Sequence, residues 1–249
     1  MQSVTSKFQV ISDIHLEFIK EGMPDIQADA PYLVIAGDLG YPNQASFWNF
    51  LSDASSKYQL VFIVLGNHEY YCAEFGFVPR FVREQIAKHG LLNVILLDNT
   101  TFDLWVDGLP VRVIGSTLWS RILSNIEKTY AKIRVKTDRR YITFDRICNT
   151  VHEQCAAWID AELDRCVEDG RYAIVVTHYL PSYKLIHPEY LSYDGQDYFA
   201  SHLDHLLRPP VLCWFFGHTH ARGKVVINDI PCLAGAVGYP GETVKIYVS

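Results

Sequence analysis

Short apolar runs rich in β-branched residues recur along the chain, and turn-forming residues separate them. A strand that is covered on both faces is apolar throughout, so these runs predict buried strands. The run LVFIVL at 60–65 is typical. The predicted strands span residues 7–12, 32–36, 60–65, 94–98, 101–106, 111–115, 172–177, 211–216, 224–228, 231–234 and 243–248.

Apolar residues at helical spacing predict four helices between the strands. The longest pattern forms one apolar stripe and stops at Gly170, a residue type that often ends helices. The predicted helices span about 46–58, 78–89, 143–169 and 199–207. Strands and helices alternate early, and strands dominate late. The pattern therefore predicts an α/β protein, a layered β-sandwich of two mixed sheets flanked by helices, as a single domain over 1–249.

Composition places the chain among folded globular proteins. Of its 249 residues, 49% are hydrophobic and 20% are charged, which is unlike a disordered chain. It has no run of about 18 apolar residues, and its N-terminus lacks the pattern of a signal peptide. Six cysteines occur without a C-x-x-C pair, which favours buried reduced thiols. We therefore expect no membrane span and a location in the cytoplasm, with the nucleus as the alternative.

Charge is distributed unevenly along the chain. It carries 22 basic and 28 acidic residues, a formal net charge of −6, and an acidic protein repels the phosphate backbone of nucleic acids. We therefore expect no broad nucleic-acid binding. Residues 120–150, in contrast, contain eight basic and three acidic residues, and are predicted to form an inserted helix-and-loop segment over one end of the sandwich. This basic segment is either a solvated surface or a cap that faces a phosphate.

Five short motifs place metal-ligand side chains directly after a predicted strand. Side chains at the carboxyl ends of neighbouring strands meet at one edge of a sheet, which brings positions distant in sequence together. Glycines in three of the motifs permit sharp turns and a close approach of the backbone to a ligand. The motifs are Ser12-Asp13-Ile14-His15, Gly37-Asp38, Gly66-Asn67-His68-Glu69, Thr177-His178 and Gly217-His218-Thr219-His220.

The ligand types in these motifs indicate a metal centre with nitrogen and oxygen ligands. The seven candidate ligands are Asp13, His15, Asp38, Asn67, His178, His218 and His220. Such a mixed set suits manganese, iron or zinc. Seven ligands exceed the needs of one tetrahedral site and suit two adjacent metals that share a carboxylate. A structural zinc site is the weaker alternative, because such sites are usually rich in cysteine and no cysteine falls in the motifs.

As an ordered set, D-x-H, G-D, G-N-H-[DE], H and G-H-x-H resemble the calcineurin-like metallophosphoesterase superfamily, and the match runs from Asp13 to His220. The resemblance implies a β-sandwich flanked by helices. It also implies that His68 faces the substrate instead of binding metal. The implied ligands are Asp13, His15, Asp38 and His220 for the first metal, and Asp38, Asn67, His178 and His218 for the second, with Asp38 bridging.

The resemblance implies a small, stand-alone phosphoester hydrolase. A metal-bridging hydroxide would attack the phosphorus of a mono- or diester, and His68 would stabilise the transition state or protonate the leaving oxygen. The acidic balance of the chain favours a small-molecule or nucleotide substrate over long nucleic acid. The expected cofactors are two divalent or trivalent ions of manganese, iron or zinc. The choice among these metals stays open at this point, as do the choice between mono- and diester and the oligomeric state.

Two alternatives exist on the same fold. A serine/threonine-type protein phosphatase resembles G-D-x-x-D-R-G after the bridging aspartate, but here Tyr41 and Pro42 stand where the second aspartate and the arginine would be. A catalytically inactive scaffold would lack a ligand or the catalytic histidine, and every one of these residues is present. Both alternatives are therefore disfavoured.

Substrate contacts are predicted at two kinds of residue. Without the arginine of the protein phosphatases, phosphate needs another cationic partner, for which Arg139 or Arg140 is the candidate. Tyr70, Tyr71 and Tyr179 follow metal-motif residues, and they either line the cleft or pack in the core.

Overall fold

The computed structural model describes residues 2–123, 132–137, 141–192 and 194–247. The strands within these ranges are β1 Phe8–Ile11, β2 Tyr32–Ala36, β3 Leu60–Val64, β4 Val94–Leu96, β5 Thr100–Val106, β6 Leu109–Ser116, β7 Arg134–Lys136, β8 Tyr141–Thr143, β9 Tyr172–Thr177, β10 Val211–Phe216, β11 Ala221–Ile227, β12 Ile230–Gly235 and β13 Lys245–Ile246. The α-helices are α1 Gln2–Thr5, α2 Ala45–Lys57, α3 Val78–Lys88 and α4 Cys148–Glu168. Short 3₁₀-helices lie at Leu16–Phe18, His68–Tyr70, Phe144–Arg146, Tyr183–Leu185, Pro188–Tyr190, Gln196–Tyr198 and Asp204–Leu206.

Two sheets form the centre of the molecule. The smaller contains β1, β2, β3 and β4 in that order, and its strands are all parallel. The larger has the order β13-β11-β12-β10-β9-β6-β5 and is mixed, with parallel β6, β9, β10 and β12 at its centre. The predicted layered α/β sandwich is confirmed, although only the larger sheet mixes strand directions.

Side-chain alternation along the strands separates two parts of the core. Phe62 and Val64 of β3 belong, with Val113 of β6, to the core between the two sheets. Val61 and Ile63 point to the opposite face, where α2 packs on β3 and α3 on β4. Helix α4 covers the outer face of the larger sheet at β6 and β9. Both faces of the central strands are therefore covered, which explains their continuously apolar sequences.

The carboxyl ends of five strands meet at one edge of the sandwich. In the smaller sheet, Asp13 N donates to the carbonyl of Gly37 at 3.1 Å and links the ends of β1 and β2. Ser12 N donates to the carbonyl of Gly235 at 3.2 Å and joins this edge to the larger sheet. The five motifs therefore follow β1, β2, β3, β9 and β10 and approach one another, as expected from their positions in the sequence.

Of two elements predicted near the C-terminus, the helix at 199–207 is wrong and the strand at 243–248 is too long. Residues 199–207 are not an α-helix but form turns with one 3₁₀-helix at Asp204–Leu206. The apolar residues there are buried, so their spacing reflects packing, and Pro209 and Pro210 prevent a helix from continuing. The strand predicted at 243–248 is reduced to two residues in the described part of the chain.

The basic segment 120–150 contains a strand pair besides helical and loop residues in its described part. Its described part contains the antiparallel pair β7 and β8, and α4 begins at Cys148, later than predicted. The pair was missed because both strands are only three residues long and carry charged or polar side chains. Arg139 and Arg140 lie outside the described residues.

Two further expectations concern the state of the cysteines and the presence of a membrane-spanning helix. All six cysteines are free, and five are buried, whereas Cys72 is exposed beside Tyr71. Within the described residues, no helix combines the length and the apolarity needed to cross a bilayer.

Candidate metal centre

The structure brings the candidate ligands together at the shared sheet edge. Three groups of carboxylate and imidazole atoms are found there, and within each group the atoms lie within 4.8 Å of one another. The groups are Asp13, His15 and His220; His15, Asp38 and His68; and Asp38, His178 and His218. Asn67 lies beside the last group, with its Oδ1 3.1 Å from His178 Nε2. The group that contains His68 shares one member with each of the other two, so the three form one cluster.

Most of the candidate ligands lie on strained backbone. Five have a positive φ between 47° and 71°, a left-handed region that is unfavourable for residues other than glycine. They are Asp13, His15, Asp38, His218 and His220. Backbone hydrogen bonds hold these turns, for example from Ile14 N to the carbonyl of Asp38 at 2.9 Å. Such conformations persist where the surrounding structure imposes them, and they concentrate at functional sites.

Two glycines let the motif loops approach each other closely. A side chain at Gly37, which has a φ of +86°, would overlap the imidazole of His178. A side chain at Gly66 would overlap the carboxylate of Asp38. These glycines therefore allow the loops to pack against the candidate ligands of their neighbours.

His15 and His220 face each other through their Nε2 nitrogens. His15 Nδ1 lies 3.3 Å from Glu17 Oε1, and His220 Nδ1 lies 2.6 Å from Glu242 Oε2. Because an ionised carboxylate only accepts hydrogen bonds, each Nδ1 carries the ring hydrogen. The two Nε2 atoms are 3.0 Å apart, and in neutral rings both are acceptors. Two acceptors at this distance repel each other unless a cation binds to them.

A second set of acceptors converges around His178. Its Nδ1 donates to the carbonyl of Ala36 at 2.8 Å, so Nε2 of the neutral ring is an acceptor. This Nε2 lies 3.1 Å from Asn67 Oδ1 and 3.4 Å from Asp38 Oδ2. The Asn67 amide is held in this orientation because its Nδ2 donates to the Tyr71 hydroxyl at 2.7 Å. In the neutral ring, three acceptor atoms therefore face one another, and a proton on Nε2 or a bound cation is needed to make this arrangement favourable.

Asp13 and Asp38 are buried carboxylates that form no ion pair with Lys or Arg in the described part of the chain. Asp13 accepts hydrogen bonds from Ser12 Oγ at 2.5 Å and from His218 N at 2.9 Å. Asp38 accepts one from His68 N at 2.9 Å. Buried negative charge requires a compensating positive charge. Metal cations would compensate the buried carboxylates and would bind the converging acceptor atoms. The residues therefore fit a metal centre.

Burial and the charges of neighbouring residues shift the pKa values of groups within the cluster. Burial lowers the pKa of His178, but the charge of Asp38 outweighs this effect and raises the pKa to about 9. Burial raises the pKa of Asp38, yet the neighbouring histidines, His178 first, hold it well below its usual range. Burial, with the nearby charge of His178, lowers the pKa of His218 well below its usual value. The cluster therefore favours positive charge beside Asp38.

Glu17 supports two histidines of the cluster. Its Oε1 lies 2.7 Å from His68 Nδ1 and 3.3 Å from His15 Nδ1, and its side chain is 1% exposed. Burial raises the pKa of Glu17, but these two hydrogen bonds outweigh it and lower the pKa. Burial lowers the pKa of His68, but the bond to Glu17 and the charge of Asp38 raise it overall. The sequence signal for Glu17 is its position two residues after His15.

Glu69 joins two of the motif loops. Its buried carboxylate accepts hydrogen bonds at 2.7–3.2 Å from the backbone N–H groups of Gly66, Asp38, Leu39 and Gly40. Burial and the charge of Asp38 raise the pKa of Glu69 to about 7. Its sequence signal is the last position of the G-N-H-E motif. Glu69 thus fixes the relative position of the loops that carry Asp38 and Asn67.

An open cavity of about 340 Å³ lies at the cluster. The cluster residues that line it are Asp38, Asn67, His68, His218 and His220. Its other lining residues are Tyr71, Tyr190, Phe199, Thr219 and Tyr239, so no Lys or Arg of the described chain lines it. The Tyr239 ring also stacks on His15 with centroids 4.2 Å apart. Among the described residues, the entrance to the candidate metal centre is therefore lined by aromatic rings and not by Lys or Arg.

Of the tyrosines considered as substrate contacts, only Tyr71 lines this cavity. Tyr70 is 1% exposed and packs in the aromatic core. Tyr179 is fully buried and packs against His218, with ring centroids 4.2 Å apart. The expectation that Tyr70 and Tyr179 contact substrate is therefore wrong, because the turn at His68–Tyr70 directs the first ring inward and strand β9 leads the second into the core.

Comparison with known proteins assigns the chain to a family. The model of the calcineurin-like phosphoesterase family matches residues 6–222. The chain therefore belongs to this family, and it is a metal-dependent phosphoester hydrolase. The family assignment that the motifs predict is confirmed.

Individual proteins are similar to the chain over most of its length. The uncharacterized protein L509 of Acanthamoeba polyphaga mimivirus is 28% identical over 261 residues, covering 93% of the chain and 91% of that protein. The phosphopantetheinyl hydrolase PptH from Mycobacterium tuberculosis shares the fold with a TM-score of 0.65 and 15% identity, covering 96% of the chain and 91% of PptH. A putative 5′-nucleotidase from Staphylococcus aureus has a TM-score of 0.54 and 13% identity, covering 93% of the chain and 48% of that structure.

Substitution of Glu69 tests its structural role. Glu69→Ala leaves four buried N–H groups without an acceptor, so we expect the free energy of unfolding to fall by at least about 3 kcal/mol. Glu69→Gln keeps one oxygen and should lose less. Urea denaturation followed by circular dichroism measures both, with Glu84→Ala on the exposed face of α3 as control. Equal stability of Glu69→Ala and the control would contradict this role.

Proposed function

We propose that the chain is a phosphodiesterase that uses two metal ions to hydrolyse a small-molecule or nucleotide diester. Two separate sets of converging acceptors support two ions. Asp38 Oδ2 lies 3.4 Å from His178 Nε2 and 3.9 Å from His15 Nε2, which supports a shared carboxylate. The residues that would hold the ions are Asp13, His15, Asp38 and His220 for one, and Asp38, Asn67, His178 and His218 for the other.

The metals and the residues of the chain have separate roles in the reaction. When bound, ions of manganese, iron or zinc activate water as a nucleophile and neutralise charge on the phosphate. Hydrolysis forms a P–O bond to the oxygen of water and breaks the P–O bond to the leaving group. The oxygen of the leaving group then has to take up a proton. Groups of the chain that line the cavity and carry a proton are therefore the candidates for the acid.

His68 is the acid in this proposal. Its Nδ1 donates to buried Glu17 at 2.7 Å, which directs Nε2 away from that carboxylate. His68 lines the cavity and also belongs to the group that connects the two metal sets. The Glu17 carboxylate stabilises the protonated ring, so Nε2 holds a proton to give to the leaving oxygen. Glu17 is a positioning residue because it acts through His68.

The residues that line the cavity favour a diester substrate over a monoester. A phosphate diester is a monoanion, whereas a monoester approaches a charge of −2 and benefits from additional cations. The described lining residues include no Lys or Arg but four aromatic rings: Tyr71, Tyr190, Phe199 and Tyr239. Such rings suit the organic groups on both sides of a diester. Two proteins of the same fold, named as a phosphopantetheinyl hydrolase and a putative 5′-nucleotidase, support a small substrate.

Hydrolysis of two chromogenic esters tests the proposed reaction. Purified protein is reconstituted with manganese and assayed with bis-p-nitrophenyl phosphate and p-nitrophenyl phosphate. We expect kcat/KM for the diester to exceed that for the monoester by at least about tenfold. A preference for the monoester would overturn the diester assignment, and absence of turnover for both esters would contradict the proposed function.

Substitutions at His68 and Glu17 test the proton donor. We expect His68→Ala to keep the metal content and to lose roughly 10²–10⁴-fold in kcat, most for esters with poor leaving groups. Glu17→Gln removes the charge that raises the pKa of His68, so kcat should fall and the alkaline limb of its pH profile should move to lower pH. The matched control is Glu21→Gln on the exposed surface. Equal losses for good and poor leaving groups, or an unshifted limb in Glu17→Gln, would exclude this donor.

A further inference from the structure

A second cavity of about 510 Å³ lies beside the metal centre, and Tyr71 lines both cavities. Most of its lining is aromatic or apolar and includes Tyr41, Phe77, Val78 and Phe81. The rings of Phe77 and Phe81 stack with centroids 5.4 Å apart. We call this space the side cavity. Its volume is in the range of pockets that bind small organic molecules.

Tyr71 is held at the junction of the two cavities. Its hydroxyl oxygen accepts a hydrogen bond from Asn67 Nδ2 at 2.7 Å, and its ring lies 4.6 Å from that of His68, centroid to centroid. Because the oxygen already accepts, the hydroxyl hydrogen can be donated to a ligand. A substrate that reaches His68 from the side cavity therefore passes an aromatic face and a hydrogen-bond donor.

The basic segment contributes one wall of the side cavity. Its residues at 132–134 form backbone hydrogen bonds with residues 72–75: Cys72 N donates to Lys132 O at 3.0 Å, Arg134 N to Ala73 O at 3.0 Å, and Phe75 N to Arg134 O at 2.7 Å. These bonds place the Arg134 side chain in the lining of the side cavity. They also place Lys132 Nζ 5.5 Å from the centroid of the Tyr71 ring.

The two cations of this wall lie over tyrosine rings, with Arg134 Cζ 5.8 Å from the centroid of the Tyr141 ring and Lys132 Nζ over Tyr71. Neither Lys132 nor Arg134 forms an ion pair with another described residue, and both side chains are exposed at the surface, so an anion can reach them. Two carboxylates also line the side cavity. Glu69 is occupied by backbone N–H groups, and Glu74 Oε2 accepts a hydrogen bond from the Tyr141 hydroxyl at 3.3 Å. The cavity thus combines stacked rings with basic groups at one side.

We propose that the side cavity binds the leaving group of the substrate, and that this group joins a planar ring system to a further anionic group, as a nucleotide does. The rings would stack on the planar part, and Arg134 with Lys132 would bind the anion. The inference rests on the proposed phosphodiesterase function. In the reaction, the P–O bond to this group breaks, water supplies the new P–O bond, and the leaving oxygen takes the proton of His68.

Equilibrium binding to the metal-free protein tests the side cavity without turnover. The probes are adenosine 5′-monophosphate, which has both features, and adenosine, which has only the ring. We expect Arg134→Ala to weaken binding of the monophosphate about tenfold and to leave adenosine unaffected. Phe77→Leu keeps an apolar side chain without the ring, and it should weaken both ligands by about fivefold or more.

Lys136→Ala is the matched control, because Lys136 is an exposed cation of the same strand that does not line the side cavity. It should bind both probes as the wild type does. Three results would overturn the inference: a wild type that does not bind the monophosphate, an Arg134→Ala variant with unchanged affinity, or an equal loss in the control. Turnover of bis-p-nitrophenyl phosphate by the wild type tests the proposed function separately, so the two failures are distinguishable.

Discussion

Acceptor atoms that converge around two buried carboxylates, and that need a proton or a metal cation between them, are the feature on which this molecule depends. Nε2 of His15 and Nε2 of His220 lie 3.0 Å apart, and His178 Nε2 faces Asp38 and Asn67 oxygens at 3.4 and 3.1 Å. In a buried setting such an arrangement is unfavourable unless positive charge neutralises it. Metal cations would supply that charge, and the family to which the chain belongs performs metal-dependent phosphoester hydrolysis.

The strand topology and three supporting carboxylates hold these acceptor atoms in place. Parallel strands deliver the motifs to one edge, and Gly37 and Gly66 let their loops approach closely. Three buried or half-buried carboxylates then fix the geometry. Glu17 and Glu242 set which nitrogen of each histidine carries the hydrogen, and Glu69 ties two loops together through backbone N–H groups. Groups that orient ligands in this way contribute to metal affinity as well as to structure.

The sequence predicted the location of the site better than its details. Apolar runs followed by ligand-type residues identify parallel strand ends, and topology alone makes such ends converge. The roles of Glu17 and Glu69 depend on tertiary contacts, which local pattern does not contain. Tyr70 and Tyr71 are adjacent in sequence, and only the turn in the structure directs one to the core and the other to the cavity. The helix expected at 199–207 failed because buried apolar residues at helical spacing also occur in packed turns.

Metal stoichiometry is the most direct test of the shared acceptor cluster. Metal content per chain would be measured by inductively coupled plasma mass spectrometry after reconstitution and gel filtration, for wild type, Asp38→Asn and the surface control Asp107→Asn. Because Asp38 lies within reach of both acceptor sets, we predict two metals in the wild type and the control, and loss of both in Asp38→Asn. A wild type that binds fewer than two metals, or an Asp38→Asn variant that retains two, would contradict the account.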